Sequence, residues 1–381
     1  MSNEVWILGG AGRSGRAIAA ELLSRDITPV LTGRDTGRLQ EAAIRAGGRP
    51  LVAASINDLT RQIRQQRPAV VINTIGPFTT TAGPIAAACL AAGDGGTDYV
   101  DLANDVAAVS TLLALDEQAQ EAHRTLITGG GFGVTATESV VIKLCQDRSR
   151  PVSVRVDMIP SLAAEAGPVG AALAGTILDG LPGVPGGGRY QGRRYTDGRL
   201  APAPVAGDVA HLTLPDGTQV TTAAMPLGEL IAAQRASGAA NVISASSEAP
   251  SSPLIRAVLP AVFALLQLAP VRQFAKNRLA KVQLKAHDRP RAHSYGHAAI
   301  TWADGSTAEG WLRLGDAQTF TGAVPAEIAR RLRRGEGRPG AFTPAALFGP
   351  TLAESCGADY LTEPTQATQA TPATDATPTE R

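Results

Sequence analysis

Gly10, Gly12 and Gly15 stand in the spacing G-x-G-x-x-G within GGAGRSG, and Gly9 adds a second, overlapping register. Residues without a Cβ in such a run let main-chain amides close on an anion. One glycine permits the tight turn, Gly12 lets the backbone approach a pyrophosphate, and Gly15 lets a following helix pack close. The first amides of that helix, from Arg13 and Ser14 onward, would then face the phosphate. The chemistry requires a strand before the loop and a helix after it. VWIL and RSGRAIAAELLSR supply them, the latter with Ile18, Ala19 and Leu22 on one stripe. The expectation is a dinucleotide loop built from Gly9, Gly10, Gly12, Arg13, Ser14 and Gly15.

The next strand ends LTGRD, residues Leu31 to Asp35. A site for NAD usually closes this strand with a carboxylate that holds the ribose diol, roughly 20 residues past the glycines. Here a glycine closes it and Arg34 follows. A guanidinium clamps a 2′-phosphate but gains little from a bare hydroxyl, so Arg34, helped by the Thr32 hydroxyl, points to NADP. The alternative is that Arg34 is a solvated loop residue while Asp35 caps the next helix.

Side chains able to donate a proton are Tyr295, His297, His211, Tyr190, Tyr195 and Glu138. Tyr295 and His297 are two positions apart in SYGHAAITW and so share a strand face, which makes them the candidate catalytic pair; a purely structural role is the alternative. No Tyr-x-x-x-Lys pair occurs, and no Cys–His spacing suggests a metal site. Cys89 and Cys145 sit in apolar helical patterns and read as core.

These residues need a frame. Through residue 150, short apolar runs (VWIL, PVLTG, PLVAA, AVVINTIG, DYVDLA, TLITG) alternate with helical patterns. Parallel neighbours need crossover connections, so the expected class is α/β, a Rossmann-type doubly wound sheet. From residue 151 to 317 the texture changes. Asp197-Gly198, Asp216-Gly217 and Asp304-Gly305 each separate alternating runs, the mark of hairpins. A second α+β domain with a mainly antiparallel sheet is expected there, with a small-residue helix in GPVGAALAGTILDGL. The helical stretch in 318–361 is expected to pack back on the first domain. The tail, 362–381, has no apolar residue beyond alanine after Leu361 and reads as disordered. In PLIRAVLPAVFALLQLAPVRQFAKNRLAKV, from Pro253, the uncharged core is too short for a membrane span. A buried helix, a homodimer interface, or an interfacial face touching a membrane or an acyl carrier are the alternatives.

Composition narrows the partners. The 381 residues carry a net charge of +1, 18% charged and 4% aromatic residues, which offers nucleic acid neither a field nor a stacking surface. Three separated cysteines and the absence of a basic-then-apolar leader in MSNEVWILGG predict a cytoplasmic protein.

Further segments sharpen the reading. VVINTIGPFTTTAGPIAAACLAAG, TDYVDLAND and ITGGGFGVTATES resemble the saccharopine dehydrogenase-like NADP-binding family over most of residues 4–145. GDAQTFTGAVPAEIARRLRRGEGRPGAFTPAALFG looks like its trans-acting enoyl reductase branch. The resemblance implies that Asn73, Gly76, Pro77 and Phe78 form a loop alongside the ribose and nicotinamide, and that Asn104 lies after the fifth strand, with helix capping by Asn104 and Asp105 as the alternative. Many relatives carry an acid where this chain has Gly133. The implied activity is NADPH-dependent hydride transfer to an activated C=C, C=N or C=O group of a small-molecule or acyl substrate. A catalytically silent NADPH-binding protein, lipid- or partner-associated, is the alternative.

Overall fold

The computed structural model describes residues 3–92, 96–163, 167–169, 174, 178, 192–204, 206–266, 268–284 and 288–362. Tyr190, ten of the fifteen residues of the expected small-residue helix, and the tail beyond Thr362 lie outside them, and the expected helix's first two residues, Gly167–Pro168, form a strand instead.

The first half runs β1 (Val5–Leu8), α1 (Arg13–Leu23), β2 (Pro29–Gly33), α2 (Thr36–Arg45), β3 (Arg49–Val52), α3 (Ile56–Gln66), β4 (Val70–Asn73), α4 (Phe78–Leu90), β5 (Asp98–Asp101), α5 (Val106–Leu113), α6 (Asp116–Glu121), β6 (Thr125–Ile127) and α7 (Phe132–Cys145). The order across the sheet is β6-β5-β4-β1-β2-β3, every pair parallel. That is the dinucleotide-binding order, and it reverses direction between β1 and β4, where a crevice opens. Alternate residues build the two cores. Val5, Ile7, Leu31, Ile72 and Val100 face α1, α2 and α7, whereas Trp6, Leu8, Val30, Val71 and Tyr99 face α3, α4 and α5. Side-chain caps start the helices where the chain turns: Asp35 accepts from Arg38 N, Ser55 from Asp58 N, and Asp105 from Ala108 N.

The second half comprises β7 (Ser153–Ile159), β8 (Gly167–Pro168), β9 (Gly192–Thr196), β10 (Arg199–Ala203), β11 (Ala210–Thr213), β12 (Gln219–Ala224), α8 (Gly228–Ser237), β13 (Asn241–Ser246), α9 (Pro253–Leu266), α10 (Ala269–Ala280), β14 (Gln283–Leu284), β15 (Ser294–Thr301) and β16 (Thr307–Leu314). It closes with α11 (Ala317–Arg333), β17 (Gly340–Phe342), α12 (Pro344–Phe348), α13 (Thr351–Ser355) and β18 (Asp359–Thr362). The second sheet runs β10-β9-β13-β7-β15-β16-β18, with the β11–β12 hairpin attached through β12 to β13. Only its β13–β7 pair is parallel. All three Asp-Gly sites are hairpin turns, with φ of +75°, +85° and +80° at Gly198, Gly217 and Gly305.

The C-terminal segment returns to the first sheet: β17 adds to β6 as a seventh strand, and α11 lies along α1. Helices α9 and α10 were open to burial from the sequence, but no residue of α10 is fully buried. Among the described residues no single helix is long and apolar enough to cross a membrane, and the chain bends by 113° between α9 and α10.

Helix α7 joins the two sheets. Residues 132–141 are all buried, and its Ala136 meets Gly296 of β15 so closely that an added Cβ would lie 2.8 Å from Ala136 Cβ. Overpacking of this kind costs about 1–3 kcal/mol. Gly296→Ala is therefore expected to lower the unfolding free energy by that amount, read as a lower urea midpoint at an unchanged m-value; an unaltered midpoint would show that the helix and sheet can part freely.

Candidate functional site

The glycine loop is held by contacts that leave no space for side chains. Both Gly9 N and Gly10 N donate to Thr32 O, at 3.1 and 2.9 Å. A Cβ on Gly10 would sit 2.6 Å from Leu31 Cβ, and one on Gly15 would sit 2.6 Å from Gly9 O. Gly12 differs: a Cβ there meets only Gly9 O, at 3.1 Å, and otherwise projects into open space. Helix α1 begins immediately after it, with no side-chain cap and no acid in its first turn. Uncapped amides at the positive end of a helix, reached across a residue with nothing over its Cα, form a cradle suited to a diphosphate. Arg13 and Arg34 are exposed beside it, and Ser14 is half-buried. Arg16 is bonded inward to Ala11 O at 2.7 Å and steadies the turn.

Thr32 enters differently from the expected hydroxyl contact. Its side chain is buried, and its carbonyl is what anchors the loop. Asn73 likewise does not offer its amide outward. Asn73 Oδ1 accepts from Ile75 N at 2.9 Å, shaping the turn into Gly76 and Pro77, and its Nδ2 donates to Tyr99 Oη at 3.1 Å. Tyr99 Oη in turn donates a hydrogen bond to Asp101 Oδ2 at 3.0 Å. Asp101 Oδ1 accepts from Ala103 N, Thr128 Oγ1 and Gly129 N at 3.0, 2.9 and 3.2 Å. Burial pushes the Asp101 carboxyl up to about 6 against these donors. Asp101 thus fixes the carboxyl ends of β4, β5 and β6 relative to one another. Sequence reasoning missed it, although an acid ending the apolar run DYVD was the available signal. Gly76 and Pro77 are half-buried in the loop, and Phe78 turns into the core at the start of α4.

Beyond these strand ends lies a cavity of about 220 Å³, between the two sheets. Leu102 to Asn104, Gly129 and Gly131 to Val134 form its wall on the first sheet. Met158 and Pro160 come from the end of β7, Glu248 follows β13, and Gln318 and Thr321 come from α11. Gln318 Nε2 reaches Ser14 Oγ at 3.5 Å, so this wall continues into the glycine loop.

Asn104 does not cap a helix; Asp105 does. With its amide nitrogen facing α8, Asn104 donates to Glu229 Oε1 and Oε2 at 3.2 and 3.0 Å. Glu229 stands at the start of α8, 2% exposed, with its carboxyl pushed up to about 7 by burial. Its carboxylate fills the place a side chain at position 133 would take: a Cβ on Gly133 would overlap Glu229 Oε1 and lie 2.6 Å from Met158 Sδ. The acid missing from position 133 is thus met in space by one from a different helix. The sequence carried only half of this signal, the unexpected glycine.

Tyr295 and His297 need correction as catalysts. They do share a strand face, but it is the face opposite Gly296, which abuts α7 and the cavity side. Both ring nitrogens of His297 are taken, by Asp157 Oδ2 at 2.9 Å and Glu309 Oε1 at 3.0 Å, and Trp311 stacks over it with ring centroids 4.2 Å apart. Tyr295 packs with Ile159, Leu214 and Trp311 and donates to Asp216. Neither lines the cavity. Glu138 is committed to Thr343 Oγ1 and Ala345 N, the start of α12. His211 is on the outer hairpin, bonded to Thr221, and Tyr195 packs in β9 against β13. Among the described residues no group of three or more His, Cys, Asp or Glu could hold a metal ion.

No protein-family model matches the chain. Over 149 residues, 37% of its length, it is 30% identical to a trans-acting enoyl reductase of Mycobacterium tuberculosis. A trans-acting enoyl reductase of Mycobacterium ulcerans is 30% identical over 137 residues, 34% of this chain. These matches span 35% and 32% of the two relatives, about a third of the length of each. In fold, the chain is similar to apo saccharopine dehydrogenase (L-Glu forming) from Saccharomyces cerevisiae, with a TM-score of 0.61 and 14% identity over 95% of this chain and 100% of that one.

A carboxyl held near pH 7 by burial stabilises the folded chain only while protonated. Its full contribution is present below the ordinary value of 4.5 and is lost as pH rises through about 7. Glu229→Gln keeps the neutral form at every pH. The unfolding free energy of the variant should rise increasingly above that of the wild type between about pH 5 and about pH 8, by roughly 3 kcal/mol at the upper end, as read by denaturant unfolding at each pH. A gap that does not change with pH would mean that Glu229 titrates normally.

Proposed function

We propose that the chain, similar in fold to saccharopine dehydrogenase, is an NADPH-dependent oxidoreductase that reduces an activated C=C (enoyl) bond, or a C=N or C=O group, of a small-molecule or acyl substrate. The observation that carries this reading is an anion cradle and a cavity whose walls meet where Gln318 reaches Ser14. An uncapped helix start beneath Gly12 lies at one end, and at the other a cavity passes Asn104 and Gly133 with a protonatable carboxyl behind them. Likeness to trans-acting enoyl reductases over 149 residues supports the enoyl choice.

The uncapped main-chain amides of Arg13, Ser14 and Gly15, reached across Gly12, would hold the diphosphate, with Gly9 and Gly10 shaping the turn through Thr32 O, and Arg34 would hold the 2′-phosphate. Gly76 and Pro77 would border the ribose. NADPH supplies a hydride to the substrate when bound. The chain then has to exclude water and provide one proton. The apolar wall of Leu102, Phe132, Val134, Met158 and Leu162 does the first. Glu229, held by Asn104 and near half-protonation at neutral pH, is suited to the second.

Calorimetry with NADPH and NADH tests the cofactor. Arg34→Ala should weaken NADPH about 10- to 100-fold, the worth of charge-assisted hydrogen bonds, while leaving NADH nearly unchanged. Equal losses would remove Arg34 from the phosphate.

Oxidation of NADPH on a panel of enoyl, imine and keto substrates tests the reaction. Glu229→Gln should lower kcat by about 100-fold or more and abolish the fall in rate above neutral pH. Binding without turnover on every class would favour a silent NADPH-binding protein.

A further inference from the structure

Twelve large hydrophobic side chains of the described residues are exposed, and eight of them fall between residues 254 and 282. On α9, Leu254, Val258, Val262 and Leu265 recur at intervals of four, four and three, which places them on one helical face, turned to solvent. Across the bend, Leu268, Val271 and Phe274 extend the apolar surface, with Phe274 66% exposed. Leu259, from the other side of α9, packs near Ala206, Ala223 and Ala249 and fastens the helix to the body. The exposed face is therefore a surplus beyond what attachment needs.

Charge identifies what covers it. From Pro253 to Val282 the segment holds five cations (Arg256, Arg272, Lys276, Arg278 and Lys281) and no acid, in a chain with 35 cations and 34 acids. A second copy docked by two-fold symmetry would set these cations against their own counterparts, with no carboxylate in the segment to neutralise them. An anionic lipid surface satisfies both halves of the pattern. Apolar side chains enter the boundary between headgroups and acyl chains while basic residues meet the phosphates. The bend suits a pair of helices lying in the surface, and neither is long enough to cross it.

We propose that α9 and α10 dock this protein on an anionic phospholipid surface, with Val258, Val262, Leu265 and Phe274 in the interface and the basic residues of α10 against the headgroups. The side of α9 that faces the body packs through Leu259 beside Ala249, which directly follows the cavity residue Glu248. A substrate with a long acyl chain would then be met where it dissolves. Docking is independent of the reductase reading, because it is measured without turnover.

The test is sedimentation of the full chain with vesicles of phosphatidylcholine, alone or with about one-third phosphatidylglycerol. Binding should be strong only with the anionic vesicles and should fall as salt rises. Val262→Asp/Phe274→Asp and Lys276→Glu/Lys281→Glu should each weaken it at least tenfold while melting as the wild type does. Phe274→Trp should show a blue-shifted emission on the same vesicles. Absence of sedimentation with either vesicle would overturn the proposal. So would equal binding to both, or a dimer in analytical ultracentrifugation that Phe274→Asp dissolves.

Discussion

Asp101 has no exposed surface, and it accepts hydrogen bonds from Tyr99, Ala103, Thr128 and Gly129. Through Tyr99 it also reaches Asn73. Parallel strands end in loops that have no sheet partner, and their free backbone groups must be paired when the loops are buried. One carboxylate does this for three neighbouring strands. The cavity wall consists of residues adjacent to those it holds: Leu102 and Ala103 on one strand end, Gly129 on the next. A single short anion is thus what converts three loop ends into a shaped surface.

Much of this was legible from residue types, because the first half obeys local rules. Glycine spacing, strand and helix periods, and the caps at Asp35, Ser55 and Asp105 are decided within a few residues of chain. Asp-Gly turns were equally local. What the sequence could not carry was which side of a strand meets which neighbour. Alternation put Tyr295 and His297 together but left open whether they faced the cavity; the contact of Gly296 with Ala136, over 150 residues earlier in the chain, decides that they do not. Asn73 looked outward-facing for the same reason. Its donors and acceptors are used by Tyr99 and Ile75, a pairing visible only once β4 and β5 lie side by side.

Glu229 and Gly133 illustrate a different limit. Each alone is unremarkable in sequence, one an acid in the first turn of a helix, the other a glycine in a glycine-rich turn. Their significance lies in mutual exclusion, since a side chain on either position claims the volume of the other. Buried carboxyls are tolerated here because each is met by donors or kept neutral. Asp98 and Asp101 rise to about 6, and Glu138 and Glu229 to about 7, with burial the leading cause in every case. Asp98 receives Thr125 N, Glu138 receives Thr343 and Ala345, and Glu229 receives Asn104. Glu229 lies behind the cavity wall, bonded to Asn104 and pressed against Gly133, both of which line it.

The return of the chain at β17 and α11 bears on synthesis. The first sheet gains its outermost strand from residues 340–342, and the outer flank of α1 is covered by α11, where Gly322 approaches Ala17 so closely that a Cβ would lie 3.0 Å away. A nascent polypeptide emerging from the ribosome would therefore expose the edge of β6 and one side of α1 until residues 317–342 had been made. Both are sticky surfaces in an incomplete chain, an unpaired strand edge and an apolar helix flank. Holding them apart from other chains during that interval is work for a chaperone, and an excised N-terminal fragment would inherit the same exposure permanently.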